Sequence, residues 1–172
     1  MKNENYCTAC PRGCRADRSR GEVGFCRCGE TAHLSRASLH MWEEPPVSGA
    51  RGSGTLFFAG CSLGCVFCQN RSISRGESGR EFSDDALVSA MLSLRDAGAH
   101  NINLVTPTHY LNAIVRALEK AKPQLGIPVV YNCGGYEKVE SLKRLDGLVD
   151  VYLPDCKYCS SELSARYSAA GD

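Results

Sequence analysis

Apolar and polar residues follow a regular pattern along the chain after residue 54. Short apolar runs predict four buried strands, at residues 55–59, 102–105, 127–131 and 148–153. Apolar residues at helical spacing predict three helices between them, within residues 83–98, 110–122 and 137–145. Apolar strands that alternate with helices are typical of a parallel sheet covered by helices on at least one face, so we expect an α/β fold.

The predicted helices carry recognisable start and stop signals. Ser83 can cap the first helix, and Asp84 and Asp85 follow it where the helix dipole favours negative charge. Thr108 can cap the second helix, and Pro123 should stop it because proline lacks the amide hydrogen that a helix needs. The helix boundaries also define the loops that connect each predicted strand to the helix after it.

A polar or cysteine-containing cluster follows each predicted strand. The four clusters are residues 60–65, 106–109, 132–136 and 154–157. In (βα) barrels and open α/β sheets, active sites are built at the carboxyl ends of the strands. The pattern therefore predicts a functional site at this edge of the sheet.

The chain has 172 residues, of which eleven are cysteine. An odd number cannot be used up in disulfides within the chain. The first residues are polar, and no apolar run approaches the length of a membrane span. We therefore expect a cytoplasmic protein with no membrane partner, in a reducing compartment where clustered cysteines more often hold metal than form disulfides.

The net charge of +1 gives no argument for a nucleic-acid partner. Residues 1–40 carry seven Lys/Arg against four Asp/Glu, and the rest of the chain carries thirteen against fifteen. The basic run at residues 12–20 has no aromatic residues between its arginines, which disfavours nucleic-acid binding. We interpret it as the solvated face of a small metal-binding unit.

The cysteines fall into three groups along the chain. They are Cys7, Cys10, Cys14, Cys26 and Cys28; then Cys61, Cys65 and Cys68; and finally Cys133, Cys156 and Cys159. A Pro/Gly/Ser-rich stretch separates the first group from the second. We therefore expect a Cys-rich metal-binding head at residues 1–40, a linker at 41–54, and an α/β domain at 55–172.

The second group has the spacing C-x3-C-x2-C. Three thiolates this close together can wrap one compact inorganic cluster, whereas a closed zinc site normally has a fourth ligand. Four cysteines complete a 4Fe-4S cluster, so three leave one iron open, which suits a catalytic site. Buried structural cysteines are the alternative, which the glycine-containing loop disfavours.

An aromatic residue, Phe67, precedes the third cysteine of this group, and the triplet with Phe67 resembles the signature of radical S-adenosylmethionine enzymes. Residues 60–70 are similar to the branch around pyruvate formate-lyase activating enzyme. Further similarity to that branch lies in residues 42–49, 105–110, 130–137 and 152–158. The resemblance implies that residues 55–172 form the N-terminal part of a (βα) barrel.

The resemblance also implies a chemistry. Cys61, Cys65 and Cys68 would each bind one iron of a 4Fe-4S cluster, and the fourth iron would chelate S-adenosylmethionine. Reductive cleavage would give a 5′-deoxyadenosyl radical that abstracts hydrogen from a substrate, which in the activating enzymes is a glycine of a partner protein. An electron donor of flavodoxin or ferredoxin type is implied. The chain would be an oxidoreductase of the activating-enzyme kind.

Three candidate residues follow the second strand, where the activating enzymes carry a Gly-Gly-Glu-Pro motif that this chain lacks. A hydroxyl of Thr106 or Thr108, with the helix N-terminus behind it, could hold the cofactor carboxylate. His109 either contributes to the cofactor site or hydrogen-bonds the backbone.

The third and fourth strands supply the remaining candidates. Asn132 is a cofactor-binding candidate, although Gly134 replaces the Asn of the family's Thr-Asn-Gly turn. Asp155 and Lys157 match the family's Asp-x-Lys and are the catalytic candidates, with a plain salt bridge as the alternative.

The first cysteine group can supply four sulfur ligands, from Cys7, Cys10, Cys14 and Cys26. A structural zinc ion or a second iron–sulfur cluster would fit, and zinc is favoured because the segment is too small for its own core. The last group, Cys133, Cys156 and Cys159, is interpreted as packing cysteines without an assigned role.

Two expectations concern the whole chain. The competing function is a non-catalytic iron–sulfur or zinc module for electron transfer or nucleic-acid binding. The resembled barrels have six βα units, whereas this chain ends soon after its fourth predicted strand. We therefore expect a fragment or truncated reading frame whose last strand is an exposed edge and whose turnover is impaired.

Overall fold

The structure is a computed structural model that describes residues 6–171. Six strands form in this part of the chain: β1 Ala32–His40, β2 Ser53–Phe58, β3 Arg80–Phe82, β4 Ile102–Val105, β5 Val129–Cys133 and β6 Val151–Pro154. The α-helices are α1 Pro45–Ser48, α2 Arg71–Ser74, α3 Asp84–Asp96, α4 Leu111–Leu125, α5 Val139–Lys143 and α6 Ser161–Ser168. Short 3-10 turns cover Arg18–Arg20 and Thr108–Tyr110.

All six strands join one sheet, in the order β3-β1-β2-β4-β5-β6. The strands β2, β4, β5 and β6 are parallel, and they correspond to the four predicted from the apolar runs. The other two, β1 and β3, pair antiparallel at one side of the sheet. The fold is therefore α/β, as predicted, with a mixed sheet rather than a purely parallel one.

The structure corrects the place where the sheet begins. Residues 32–40, assigned above to the head, form β1 and pair along β2, with Leu34 opposite Phe58 and His40 opposite Ser53. The stretch 41–54 holds the short helix α1 and the first residues of β2 rather than a plain linker. Polar residues interrupt β1 because most of the strand is only partly buried, so no continuous apolar run marked it.

The two faces of the parallel strands differ in character. Leu56, Leu104 and Tyr131 are in register and lie buried in the core beneath α3 and α4. Asn103 and Asn132 lie on the opposite face, because successive side chains of a strand alternate between faces. Fully burying a large apolar side chain contributes roughly 1.5–3 kcal/mol, so the core face fixes the register of the strands.

The helix signals gave mixed results. Ser83 caps α3 as predicted, accepting a hydrogen bond from the N–H of Ala86 at 3.2 Å. Thr108 does not cap α4, because it lies in a 3-10 turn and its hydroxyl bonds elsewhere. The helix also continues through Pro123 to Leu125, which is fully buried and anchors the last turn in the core. The prediction that α4 stops at Pro123 is therefore wrong.

The first described residues, 6–28, are called the cysteine-rich segment from here on. They have little regular structure: a bridge between Tyr6 and Asp17 and the Arg18–Arg20 turn. Ala9 packs against the main core, and its carbonyl accepts a hydrogen bond from the Ser141 hydroxyl at 2.8 Å. The segment is therefore docked on the α/β domain. None of the helices formed by residues 6–171 is long and apolar enough to cross a membrane.

Candidate functional site

The cysteine triplet lies on a loop that begins where β2 ends, and residues 60–68 are called the triplet loop. Gly60 opens it with a φ of +83°, and the N–H of Cys68 donates to the carbonyl of Cys65 at 3.2 Å. A Cβ on Gly60 would lie 2.2 Å from the sulfur of Cys28. Glycine therefore lets the loop turn sharply and pass close to the cysteine-rich segment.

The thiols of the triplet interact with one another and with the backbone. Burial raises the pKa of Cys61, the N–H groups of Gly64 and Leu63 oppose that rise, and the neighbouring thiols of Cys65 and Cys68 add to it. The N–H of Leu63 lies 3.4 Å from the sulfur of Cys61. The three thiols are therefore neighbours on one loop.

A second contact holds the middle thiol of the triplet. The hydroxyl of Ser168, at the end of α6, donates to the sulfur of Cys65 at 2.9 Å. Tyr158 bonds the same hydroxyl. The triplet loop is therefore tied to the last helix of the described chain.

The donor set fits an iron–sulfur cluster in chemistry. Three soft thiolates in a compact glycine-containing loop suit such a cluster, and Phe67 and Val66 beside them are more than half exposed. Among residues 6–171, no three Cys, His, Asp or Glu side chains already converge closely enough to hold a metal ion. Binding therefore requires the sulfurs to move together.

The predicted catalytic pair, Asp155 and Lys157, follows β6 and lies beside the triplet loop. Lys157 and Asp155 form an ion pair at 2.6 Å. Burial alone would lower the pKa of Lys157. The hydrogen bond to Asp155 and the nearby thiols of Cys65 and Cys61 together have the larger effect, so the net pKa of Lys157 is raised. A Cβ on Gly134 would lie 2.8 Å from Leu63 and 3.7 Å from Lys157, so this glycine lets the loop and the lysine approach.

Two predicted cofactor residues lie at the same edge of the sheet. Thr106 has a φ of +57°, a strained conformation for a β-branched residue, and its N–H donates to the carbonyl of Asn132 at 2.9 Å. The Asn132 amide donates to Glu43 at 3.2 Å, and Glu43 also accepts from Asn103 at 2.6 Å. Residue spacing gave no signal for Glu43, because it lies 89 positions from Asn132.

Thr108 and His109 are buried beneath this edge instead. The Thr108 hydroxyl donates to Glu137 at 2.7 Å, and the His109 Nε2 donates to the carbonyl of Ala59 at 2.8 Å. Burial lowers the pKa of His109 to about 4, so the ring is neutral near pH 7. Contact of Thr108 or His109 with a cofactor stays a prediction, and it would require this turn to move. In the structure His109 hydrogen-bonds the backbone, which was the alternative given for this residue.

Among the four predicted ligands of the cysteine-rich segment, Cys10 lies near the other three. Burial raises the pKa of Cys10 to about 11, and the neighbouring thiols of Cys7, Cys26 and Cys14 add to the rise. A Cβ on Gly24 would lie 2.5 Å from the sulfur of Cys14 and 4.0 Å from that of Cys26. The fold therefore gathers thiols that are up to nineteen residues apart in the chain.

The fifth cysteine of this segment behaves differently. The Cys28 thiol donates to the carbonyls of Cys26 and Ala59, at 3.1 and 3.3 Å. The hydrogen bond from Cys28 and the guanidinium of Arg18 lower the pKa of Cys26, whereas the pKa of Cys28 is raised. Cys28 is therefore a protonated core residue.

The unassigned cysteines divide into two kinds. Cys133 is buried, and this burial raises its pKa to about 12. Cys156 and Cys159 are exposed and line a cavity of about 500 Å³ with Leu63 and Lys157. The packing interpretation describes Cys133 but not the exposed pair.

An α/β domain with a thiol triplet at the carboxyl edge of its parallel strands belongs to a narrow class of proteins. A family model, the Radical SAM superfamily, matches residues 55–164. The chain therefore belongs to the radical SAM superfamily, whose members are generally enzymes with an iron–sulfur, S-adenosylmethionine-dependent radical function. The superfamily inferred from the triplet is confirmed.

A curated relative extends the comparison to the cysteine-rich segment. An uncharacterised protein of Methanocaldococcus jannaschii is 34% identical over 170 residues, covering 94% of this chain and 48% of the relative. The chain thus spans about half the length of that relative. No solved structure matches significantly. The branch similar to pyruvate formate-lyase activating enzyme stays a prediction.

Proposed function

We propose that this chain binds a 4Fe-4S cluster through Cys61, Cys65 and Cys68 and cleaves S-adenosylmethionine reductively. The observation that carries the proposal is the triplet loop itself, three interacting thiols at the carboxyl edge of the parallel strands. Formation of a 5′-deoxyadenosyl radical that abstracts hydrogen is the chemistry that such a bound cluster supplies.

The residues around the loop have separate tasks in this proposal. Lys157, held by Asp155, offers a positive charge toward the thiols of Cys61 and Cys65. An ammonium group there offsets part of the negative charge of the ligating thiolates and attracts a carboxylate. Asp155 keeps the lysine in position and charged.

Thr106 and Asn132 are proposed to bind the cofactor. Thr106 follows β4 and has a positive φ, and strained backbone of this kind is often found at ligand sites. The amide nitrogen of Asn132 is held by Glu43, which leaves the amide oxygen of Asn132 to accept a hydrogen bond from a ligand.

The substrate in this proposal is a glycine of a partner protein, as in the activating enzymes, and the electron comes from a flavodoxin or ferredoxin. The support is the similarity of residues 42–49, 130–137 and 152–158 to that branch. Incubating the reduced protein with candidate partners and recording the electron paramagnetic resonance spectrum tests it. A glycyl doublet supports the partner assignment, and its absence with active protein refutes it for those partners.

The cleavage itself is tested with anaerobically reconstituted protein, S-adenosylmethionine and dithionite. We expect iron, sulfide and release of 5′-deoxyadenosine from the unchanged chain, and loss of all three in Cys68→Ala. Cys159→Ala is the matched control, because this cysteine is exposed in a cavity that Leu63 of the triplet loop also lines but lies outside the triplet. A protein that holds iron and sulfide yet releases no 5′-deoxyadenosine would instead be a non-catalytic iron–sulfur module.

A further inference from the structure

The cysteine-rich segment has no apolar core of its own. Within residues 6–28 the buried side chains are Cys10, Ala16, Asp17, Cys26 and Cys28. No large aliphatic or aromatic side chain is buried there, and the longest regular element is a three-residue turn. A segment of this kind lacks the apolar area that orders a chain and usually depends on a metal or on disulfides.

Four thiols of this segment are of the right number for a metal site, and Cys10 is near the other three. Cys10 interacts electrostatically with Cys7, Cys14 and Cys26, and all four are free thiols. Four thiolates complete the tetrahedral shell of zinc, whereas the triplet leaves a position open. The space beside Gly24 is bounded by two of these sulfurs, so a side chain at that position would intrude on the ligand shell.

We propose that Cys7, Cys10, Cys14 and Cys26 bind one structural zinc ion. The fifth cysteine is excluded because its thiol bonds two backbone carbonyls. Like those of the triplet, the four sulfurs must close on the ion, and metal binding of this kind is coupled to the ordering of the segment.

This zinc site also supports the triplet loop, through Arg12. Arg12 lies between Cys10 and Cys14, so the two ligands fix its backbone on both sides. Its Nε donates to the carbonyl of Ser62 at 2.8 Å, and Nη2 donates to that of Leu63 at 3.3 Å. Both carbonyls lie inside the triplet loop, between its first two cysteines.

The same guanidinium reaches the end of the described chain. It bonds the carbonyls of Ser168 and Ala169, and its central carbon lies 3.7 Å from the centre of the Phe25 ring. A planar fork with five donors can join two loops in this way, which a lysine cannot do. Arg12 is therefore a positioning residue that transmits the order of the zinc site to the triplet loop. This second part of the inference depends on the proposed function.

The zinc site is tested by metal analysis of anaerobically purified protein. We expect about one zinc ion per chain, lost in Cys14→Ser and in Cys10→Ser but kept in Cys159→Ser, which removes an exposed thiol elsewhere. A variant lacking all three triplet cysteines should lose its iron and keep its zinc. Zinc-free wild-type protein overturns the proposal, and so does iron with sulfide at the cysteine-rich segment in the triplet-free variant.

The role of Arg12 is tested by cluster stability rather than by turnover. We expect Arg12→Met to retain zinc but to lose iron to a chelator several times faster than wild type, with Arg12→Lys restoring little. Arg20→Met is the control, because its exposed side chain pairs only with Asp17 within the segment. Equal rates of iron loss in all three variants and wild type refute the positioning role of Arg12. The zinc analysis and the cleavage assay are independent of this result.

Discussion

The two cysteine sites of this protein differ in how the chain assembles them. The triplet places three thiols within eight residues on one loop, whereas the cysteine-rich segment gathers four from Cys7 to Cys26. The first is left one ligand short of a closed set, and the second has four. An incomplete set suits chemistry at an open metal position, and a complete set suits structural support. If both proposals hold, ligand number separates the two tasks within one fold.

The two sites meet at a small number of contacts. Gly60, the first residue of the triplet loop, packs against the sulfur of Cys28. Arg12 donates hydrogen bonds to the carbonyls of Ser62 and Leu63. His109 lies at the same junction, bonded to Ala59 immediately before the loop. The triplet loop and the cysteine-rich segment therefore pack against each other, and the substitutions below test each of them separately.

The largest effect should come from removing one ligand from each site in turn. Cys65→Ala should lose most of the iron and keep the zinc, because the proposed cluster is ligated by the triplet alone. Cys26→Ser should lose the zinc and retain the iron on freshly reconstituted protein. Iron, sulfide and zinc analysis checks this, and loss of both metals in both variants would contradict two separate sites.

The next effect tests the junction itself. Gly60→Ala should lower the free energy of unfolding by about 3 kcal/mol, since its Cβ would meet the Cys28 sulfur at 2.2 Å and the Cys26 carbonyl oxygen at 2.6 Å. Gly98→Ala has a similar positive φ but nothing within 4 Å, so we expect about 1 kcal/mol.

Urea unfolding monitored by circular dichroism measures both glycine variants. Equal losses for Gly60→Ala and Gly98→Ala would mean that backbone strain alone matters and that the junction is loose. A larger loss for Gly60→Ala supports close packing between the triplet loop and the cysteine-rich segment.

These contacts also show where reading the sequence succeeded and where it failed. The strand Ile102–Val105 was predicted residue for residue, because its apolar residues lie in a short stretch between Gly98 and a polar loop, which favours a strand over a helix by length. The triplet was found because its ligands are local in the chain. The interpretation of Arg12 as part of a solvated face was wrong, and Glu43 was found only as part of a similar stretch. Their partners lie 50 to 157 and 60 to 89 positions away, and only the folded sheet brings them together.

The third prediction uses pH to examine the buried histidine at the junction. Burial lowers the pKa of His109 to about 4, whereas an unfolded histidine titrates near 6.5. As the pH falls through this window the unfolded chain takes up the proton first, so folding weakens by up to about 3 kcal/mol. The stability contributed by the neutral ring is therefore present above about pH 6.5 and lost toward pH 4.

His109→Gln isolates this term, because glutamine can still donate to the Ala59 carbonyl but does not titrate. We expect the difference in unfolding free energy between wild type and variant to change between pH 6.5 and 4, measured by urea titration at each pH. Parallel pH profiles for the two proteins would show that the ring is not held neutral at the junction.

The smallest effect on stability should come from the ion pair beside the triplet. Lys157 and Asp155 are partly exposed, and such pairs contribute only about 0–1 kcal/mol, so Asp155→Asn should barely change unfolding. Asp85→Asn is the matched control, because it breaks a comparable pair with Lys120 on the far helices. Asp85 also lies in the first turn of α3, where its charge adds a few tenths of a kcal/mol, so both variants should unfold within about 1 kcal/mol of wild type.

Binding of S-adenosylmethionine should distinguish Asp155→Asn from Asp85→Asn more clearly than their stability does. If Lys157 needs Asp155 to face the thiolates, Asp155→Asn should weaken the change that S-adenosylmethionine produces in the spectrum of the reduced cluster, and Asp85→Asn should not. Electron paramagnetic resonance at increasing S-adenosylmethionine concentration measures this directly. An unchanged titration in Asp155→Asn would reduce the pair to an ordinary surface salt bridge, because its position beside Cys61 and Cys65 would then have no consequence for the bound cofactor.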